Sequence, residues 1–230
     1  ETTMSSDTCA ALVIAPHADD ETLGCGGSIR RLVLEGWSTT VVVVTRAGPP
    51  RYKDEDALVV RAEHVKAMNV LGVADVRYLD LPLTALNTLP TYALTDALAA
   101  VVNDVRPTYA FIPFGHDRHE DHRQIFRAAM VCLRPLRGRE WLRCVMCYET
   151  VSGSHWAVPQ IEEGFTPNLW VDISSTLADK LCAAACFQSQ IWRPPEARSL
   201  VAIESLARWR GSKANMEAAE AFMLAHAFER

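Results

Sequence analysis

Ala11-Leu12-Val13-Ile14-Ala15-Pro16-His17-Ala18-Asp19-Asp20-Glu21 is the stretch on which the fold turns. Five consecutive apolar residues ahead of a proline fit a short strand buried on both faces, the kind found in parallel sheets covered by helices. A polar, acidic segment follows. The glycines from Gly24 to Gly27 then read as a turn leading into an amphipathic helix through Ile29, Leu32 and Val33, stopped at Gly36. The pattern repeats outward from there. Residues 39–45 are a second buried strand and 56–71 carry helical spacing up to Gly72. A third strand is expected at 76–79, a helix at 92–105, a fourth strand at 109–113, and a helix to about residue 133. Strand and helix in alternation over more than a hundred residues predict an α/β fold with a mostly parallel sheet flanked by helices. The last third is less regular: 144–148 and 169–172 read as strands, and two late helices follow. With no internal repeat, low-complexity tract or linker, residues 1–230 read as a single domain, with a flexible start over 1–9.

Composition sets the class of protein. The 230 residues are 49% hydrophobic and 22% charged, which excludes a disordered or collagen-like chain. Lys and Arg number 23 against 28 Asp and Glu, a formal net charge of −5, and this balance argues against a dedicated nucleic-acid binder. No export signal and no apolar run of membrane-spanning length is read, so membrane insertion is not expected. The seven cysteines include two close pairs. Cys144 and Cys147 fall on opposite faces of a strand, and Cys182 and Cys186 share one face of an alanine-rich helix. Both pairs read as free core thiols in a reducing, cytoplasmic compartment.

Chemistry gathers at strand ends. In open parallel sheets, ligands bind beyond the carboxyl ends of the strands. The first strand is followed by His17, Asp19 and Asp20, the second by Thr45-Arg46, and the fourth by His116-Asp117-Arg118-His119-Glu120-Asp121-His122-Arg123. Imidazole and carboxylate are zinc ligands, and a catalytic zinc needs three from the protein with a position left open. One His and one Asp from the first loop, with one His from the later loop, would supply them. The surplus carboxylates suit a base standing beside the metal.

These residues carry a family resemblance. Pro16-His17-Ala18-Asp19-Asp20-Glu21-Thr22-Leu23-Gly24 resembles the first motif of the PIG-L/LmbE-like deacetylases, usually Pro-His-Pro-Asp-Asp-Glu, and His119-Glu120-Asp121-His122 resembles their second, His-x-Asp-His. Weaker echoes continue at Glu63 to Gly72, Val171-Asp172-Ile173, Lys180 with Ser189-Gln190, and Glu217 to Phe222. The resemblance implies a Rossmann-like fold and zinc-dependent removal of an acetyl group from an amino-sugar nitrogen. By position, His17, Asp20 and His122 would hold Zn2+ and Asp19 would be the general base. His119, oriented and kept cationic by Asp121, would be the electrophile and general acid. The implied partner is a small amino-sugar or glycoconjugate substrate, with the particular sugar and any homo-oligomer left open. Ala18 departs from the usual proline. Asp117 stands where some relatives carry a tyrosine thought to help hold the oxyanion, so that donor is missing or comes from elsewhere.

Other readings compete. Another amide, such as a cysteine conjugate, is an alternative substrate. Gly24 to Gly27 could cradle a phosphate in a nucleotide-binding module, but the spacing is not G-x-G-x-x-G, and packing against the sheet is the better explanation. Arg46, Arg61 and Arg118 are candidate substrate contacts, as is Trp156 beside His155. His116 reads as a plain loop residue, and Trp170, Trp192 and Trp209 as mainly core.

Overall fold

Seven strands form one sheet in the order β3-β2-β1-β4-β5-β7-β6. The elements are β1 (Ala10–Ala15), α1 (Asp20–Leu34), β2 (Ser38–Arg46), α2 (Asp54–Leu71), β3 (Asp75–Pro82), α3 (Thr91–Val105) and β4 (Tyr109–Pro113). They continue as α4 (Glu120–Cys132), β5 (Cys144–Tyr148), β6 (Leu169–Asp172), α5 (Leu177–Ala185), α6 (Leu200–Ser212) and β7 (Ala219–Ala227), with 3₁₀ turns at Leu86–Thr88 and Ser154–Trp156. The computed structural model describes residues 9–151, 153–156, 158 and 161–229. Residues 1–8, where a flexible start was expected, lie outside the described residues.

The first five strands are parallel; β1, β4 and β5 are apolar along nearly their whole length and β2 through its middle because they are covered twice, whereas β3, at the edge, carries Asp75, Arg77 and Asp80. Leu12, Ile14, Val42 and Val44 pack with Leu98, Val102 and Ile125 beneath α3 and α4. Their neighbours Ala11, Val13 and Val41 point the other way, to Ile29, Met68 and Ala183 of α1, α2 and α5. The order reverses between β1 and β4, so the crevice outside their carboxyl ends is the topological switch point.

Four expectations are corrected. First, Gly24 to Gly27 are not a turn: they lie inside α1, which bends at Cys25 (φ −143°, ψ 20°). A Cβ on Gly24 would enter the Tyr148 ring, and one on Gly27 would meet Ile173 at 2.8 Å, so the glycines serve close packing and leave no room for a phosphate. The bend is held from outside. Glu220 accepts from the Gly27 and Ser28 amides at 2.9 and 2.7 Å, and Lys180 Nζ bridges Glu220 (2.6 Å) to the Leu23 carbonyl (2.9 Å).

Second, β7 was not foreseen. Its sequence, Ala-Glu-Ala-Phe-Met-Leu-Ala-His-Ala, is rich in helix formers, yet it lies antiparallel between β5 and β6. Pairing closes the edge of β5, and fully buried Phe222 packs against Phe111 with ring centroids 5.3 Å apart. Tertiary packing overrides propensity here. Third, all seven cysteines are free, and Cys25, Cys132 and Cys147 are buried, but Cys182 is exposed and Cys186 half-buried. The face that α5 turns inward carries Leu177, Lys180, Ala183 and Ala184 instead. Fourth, Trp192 and Trp209 are exposed and not core, and Trp209 lies under the cations of Arg210 and Lys213.

Candidate active site

The loop after β1 and the first turns of α1 and α4 converge at the switch point. Asp20 opens α1 and Asp121 lies in the first turn of α4, where unpaired backbone N–H groups favour carboxylates. Three donor atoms form a small triangle. His17 Nδ1 is 3.0 Å from Asp20 Oδ2, His122 Nε2 is 3.1 Å from the same oxygen, and the two nitrogens are 3.3 Å apart. Asp20 and His122 are buried, and Asp20 Oδ1 has no hydrogen-bond partner. A tetrahedral ion bonded at ~2.0–2.1 Å sets its ligand atoms roughly 3.3 Å apart, so these three fit a metal. His17, His119 and His122 also offer atoms within 4.8 Å of one another, a second set that could hold a metal. The His17, Asp20 and His122 atoms are the more closely spaced.

Charge is concentrated here. Burial lowers the His122 pKa, but the Asp20 and Asp117 carboxylates outweigh it and raise the pKa to about 10. Burial raises Asp20, and the His122 charge then carries it well below the usual carboxylate value. Asp19 differs from its neighbour. Burial raises it to about 7, partly opposed by Arg198, whose Nη1 donates to Oδ2 at 2.8 Å. Its Oδ1 is buried without a hydrogen-bond partner. Arg198 was missed in the sequence: it stands 179 positions away in an irregular segment, and no local pattern announces it.

The outer carboxylates are arranged differently from the expectation. Asp121 Oδ2 lies 3.2 Å from His17 Nε2 and 4.0 Å from His119 Nδ1, so its carboxylate pairs with His17, and Asp121 holds His119 through its backbone N–H instead. Thr84 fixes it in place. That residue sits at φ 59°, a left-handed conformation a β-branched side chain adopts only when held, and its N–H donates to Asp121 Oδ2 at 2.8 Å. His119 caps α4, and its Nδ1 accepts from the Asp121 N–H at 3.2 Å. The neutral ring must then carry its proton on Nε2. Burial, followed by the charges of His17 and His122, lowers its pKa, a direction that favours a neutral donor over the expected cation. Asp117 is buried and accepts from Ser154 Oγ (2.7 Å) and from the His119 N–H (2.8 Å), with His122 Nδ1 at 3.4 Å. Sequence reading saw in Asp117 only a missing tyrosine. The Asp-x-His spacing, which suits a side chain bonding the backbone two residues on, was the available signal.

Two cavities meet at this rim. One of about 280 Å³ is lined by His17, Asp19, Arg46, Arg61, His119 and Arg198 among others. A second of about 260 Å³ is lined by Asp117, Arg118, His122, Thr150 and Trp156, and shares His119 and Arg198 with the first. The candidate arginines thus reach cavity walls: Arg46 and Arg61 the first, Arg118 the second. His155 instead braces Glu149, with Nε2 2.6 Å from Oε2, and exposed His116 stands beside Glu163, outside both cavities.

Donors that could hold a metal at a switch point, with a spare carboxylate beside them and space for a ligand, fit a hydrolase of the α/β type. Residues 12–133 match the model of the GlcNAc-PI de-N-acetylases, PIG-L, and the chain belongs to that family of deacetylases. It is 30% identical over 172 residues to the uncharacterized deacetylase YaiS of Escherichia coli K12, covering 69% of this chain and 85% of the relative. A probable N-acetyl-alpha-D-glucosaminyl L-malate deacetylase 2 of Bacillus cereus is 28% identical over 173 residues, covering 69% and 78%. The crystal structure of the conserved protein TT1542 from Thermus thermophilus superposes with a TM-score of 0.75 at 27% identity, over 96% of each chain. Among the described residues no helix is long and apolar enough to cross a membrane.

Proposed function

We propose that the chain is a zinc-dependent N-deacetylase acting on an N-acetylated amino sugar or its conjugate, of the N-acetylglucosamine type. One observation carries this reading: Asp19, a buried carboxylate with a pKa raised to about 7, lines the larger cavity beside a three-atom triangle of metal-donor geometry. The Bacillus cereus relative, named for a small glucosaminyl conjugate, supports the substrate class. The cavity also offers Tyr52, Asp56, Arg61 and Gln190 for hydroxyl groups.

His17 Nδ1, Asp20 Oδ2 and His122 Nε2 would hold the zinc. When bound, zinc supplies Lewis acidity, making water a better nucleophile and a carbonyl a better electrophile. Asp19 takes the proton of the attacking water at its carboxylate, and its raised pKa suits it to pass that proton to the departing nitrogen. Arg198 keeps the carboxylate aimed. His119 donates from Nε2 to the carbonyl oxygen as negative charge develops there. Asp121 fixes the His17 ring and Asp117 the His122 ring, the outer support such ligands need. Free thiols at Cys25, Cys132 and Cys147 support a reducing, cytoplasmic setting.

The test is a panel of N-acetyl glucosaminides assayed for free amine, before and after metal removal by a chelator. Amine release that disappears with the metal and returns with zinc is expected. Release that survives full metal removal would overturn the zinc assignment, and no release from any member would overturn the substrate class.

A further inference from the structure

The second cavity shares His119, His122, Asp117 and Arg198 with the chemistry above, and that chemistry leaves its volume unfilled. An amide has two ends, and a site that cleaves it must house both. The cavity bearing Asp19 is furnished with hydrogen-bonding side chains suited to sugar hydroxyls. His119 and Arg198 wall both cavities, so an amide held between them directs its acyl substituent into the other, which has a volume of about 260 Å³. A methyl group fills only a small part of it.

One feature of the wall describes what would fill the rest. Trp156 is 74% exposed at the mouth, on a 3₁₀ turn anchored by Ser154 to Asp117 and by His155 to Glu149. An indole presented on a braced turn offers a flat apolar contact.

We propose that the second cavity is an acyl subsite, so that the enzyme takes N-acyl amino sugars with several acyl carbons as well as N-acetyl ones. This rests on the N-deacetylase reading. The reaction is the same hydrolysis: water oxygen bonds the acyl carbon, the C–N bond breaks, a water proton goes to nitrogen, and a carboxylic acid and an amine leave.

The experiment compares N-acetyl and N-butyryl forms of one glucosaminide by kcat/KM. N-Butyryl is expected to match or exceed N-acetyl. Trp156→Ala should lower the butyryl-to-acetyl ratio about fivefold. Acetyl cleavage with butyryl below about one hundredth of it would overturn the subsite and leave the deacetylase standing. A ratio unmoved by Trp156→Ala would also overturn it. No cleavage of either would remove the deacetylase reading, and the subsite with it.

Discussion

Two kinds of buried charge sit on this one sheet, and they are built to opposite rules. Behind α1, the Lys180–Glu220 pair is complete: both Glu220 oxygens take backbone amides, and Lys180 adds the Leu23 carbonyl. At the rim, Asp19 Oδ1 and Asp20 Oδ1 are buried without a hydrogen-bond partner, and two imidazole nitrogens face one carboxylate oxygen. Buried polar atoms left unmatched are costly, so they persist where something else can complete them. The finished pair shapes the helix, and the unfinished cluster offers donors that could hold a metal.

The sharpest break of that comparison is Asp19→Asn. It keeps the shape and removes the proton acceptor, so kcat should fall on the order of 10³-fold, about 4 kcal/mol of barrier. Metal content and unfolding midpoint should hold, because Asp19 is not in the donor triangle and its burial as a charge is itself unfavourable. Steady-state kinetics with elemental analysis of the same preparation checks this, and near-normal kcat at full metal occupancy would take the base role away from Asp19. Lys180→Met should do the reverse. Leaving Glu220 charged and unpaired costs about 3 kcal/mol of stability in a urea titration, while the folded fraction keeps its turnover. A variant that lost turnover at unchanged stability would place Lys180 in the catalytic machinery and collapse the distinction.

How much of this could be read beforehand follows the same division. Strands 109–113 and 144–148 fall where the apolar runs place them, because a strand buried on both faces writes its burial into consecutive residues, and 169–172 also forms a strand although it is a half-buried edge. His17 and Asp20 came forward as candidates because they directly follow the end of β1, and His122 because it follows β4 in a histidine-dense loop. β7 was not legible: what makes Ala219–Ala227 a strand is a gap beside β5, and local composition does not record it. Arg198 and Ser154 touch the site across long separations in sequence, and the bonds that put them there exist only once the sheet is closed. The family motif paired Asp121 with His119, and the sequence did not announce that its carboxylate is also held by Thr84, a residue from the loop after β3.

A finer probe lies between the two classes. Asp117 is buried and well bonded like the structural pairs, yet it reaches His122. Asp117→Asn should weaken metal binding by 10- to 100-fold, roughly 1.4–2.7 kcal/mol, measured by competition with a chelator. An unchanged metal affinity would move Asp117 to the purely structural side.

The smallest effect concerns the pair farthest in character from the rim. Burial pushes the Glu149 carboxyl up, but hydrogen bonds from His155 and Arg210 more than reverse this and hold it below its usual value of 4.5. A carboxylate depressed by folding adds stability that is fully present above its unfolded pKa and is lost as pH falls through the folded one. The chain should therefore keep this contribution at neutral pH and shed it below about pH 4.5. In Glu149→Gln the group cannot titrate, so the slope of unfolding free energy against pH in that acid range should be shallower than wild type, by at most ~1.4 kcal/mol per pH unit. Identical acid slopes would mean that Glu149 titrates alike in the folded and unfolded chain, and the Arg210–Glu149–His155 cluster would then not behave as a completed pair. The same measurement above pH 6 should show parallel curves, because Glu149 is ionised in both states there, and this separates loss of its charge from general damage to the loop that carries Trp156.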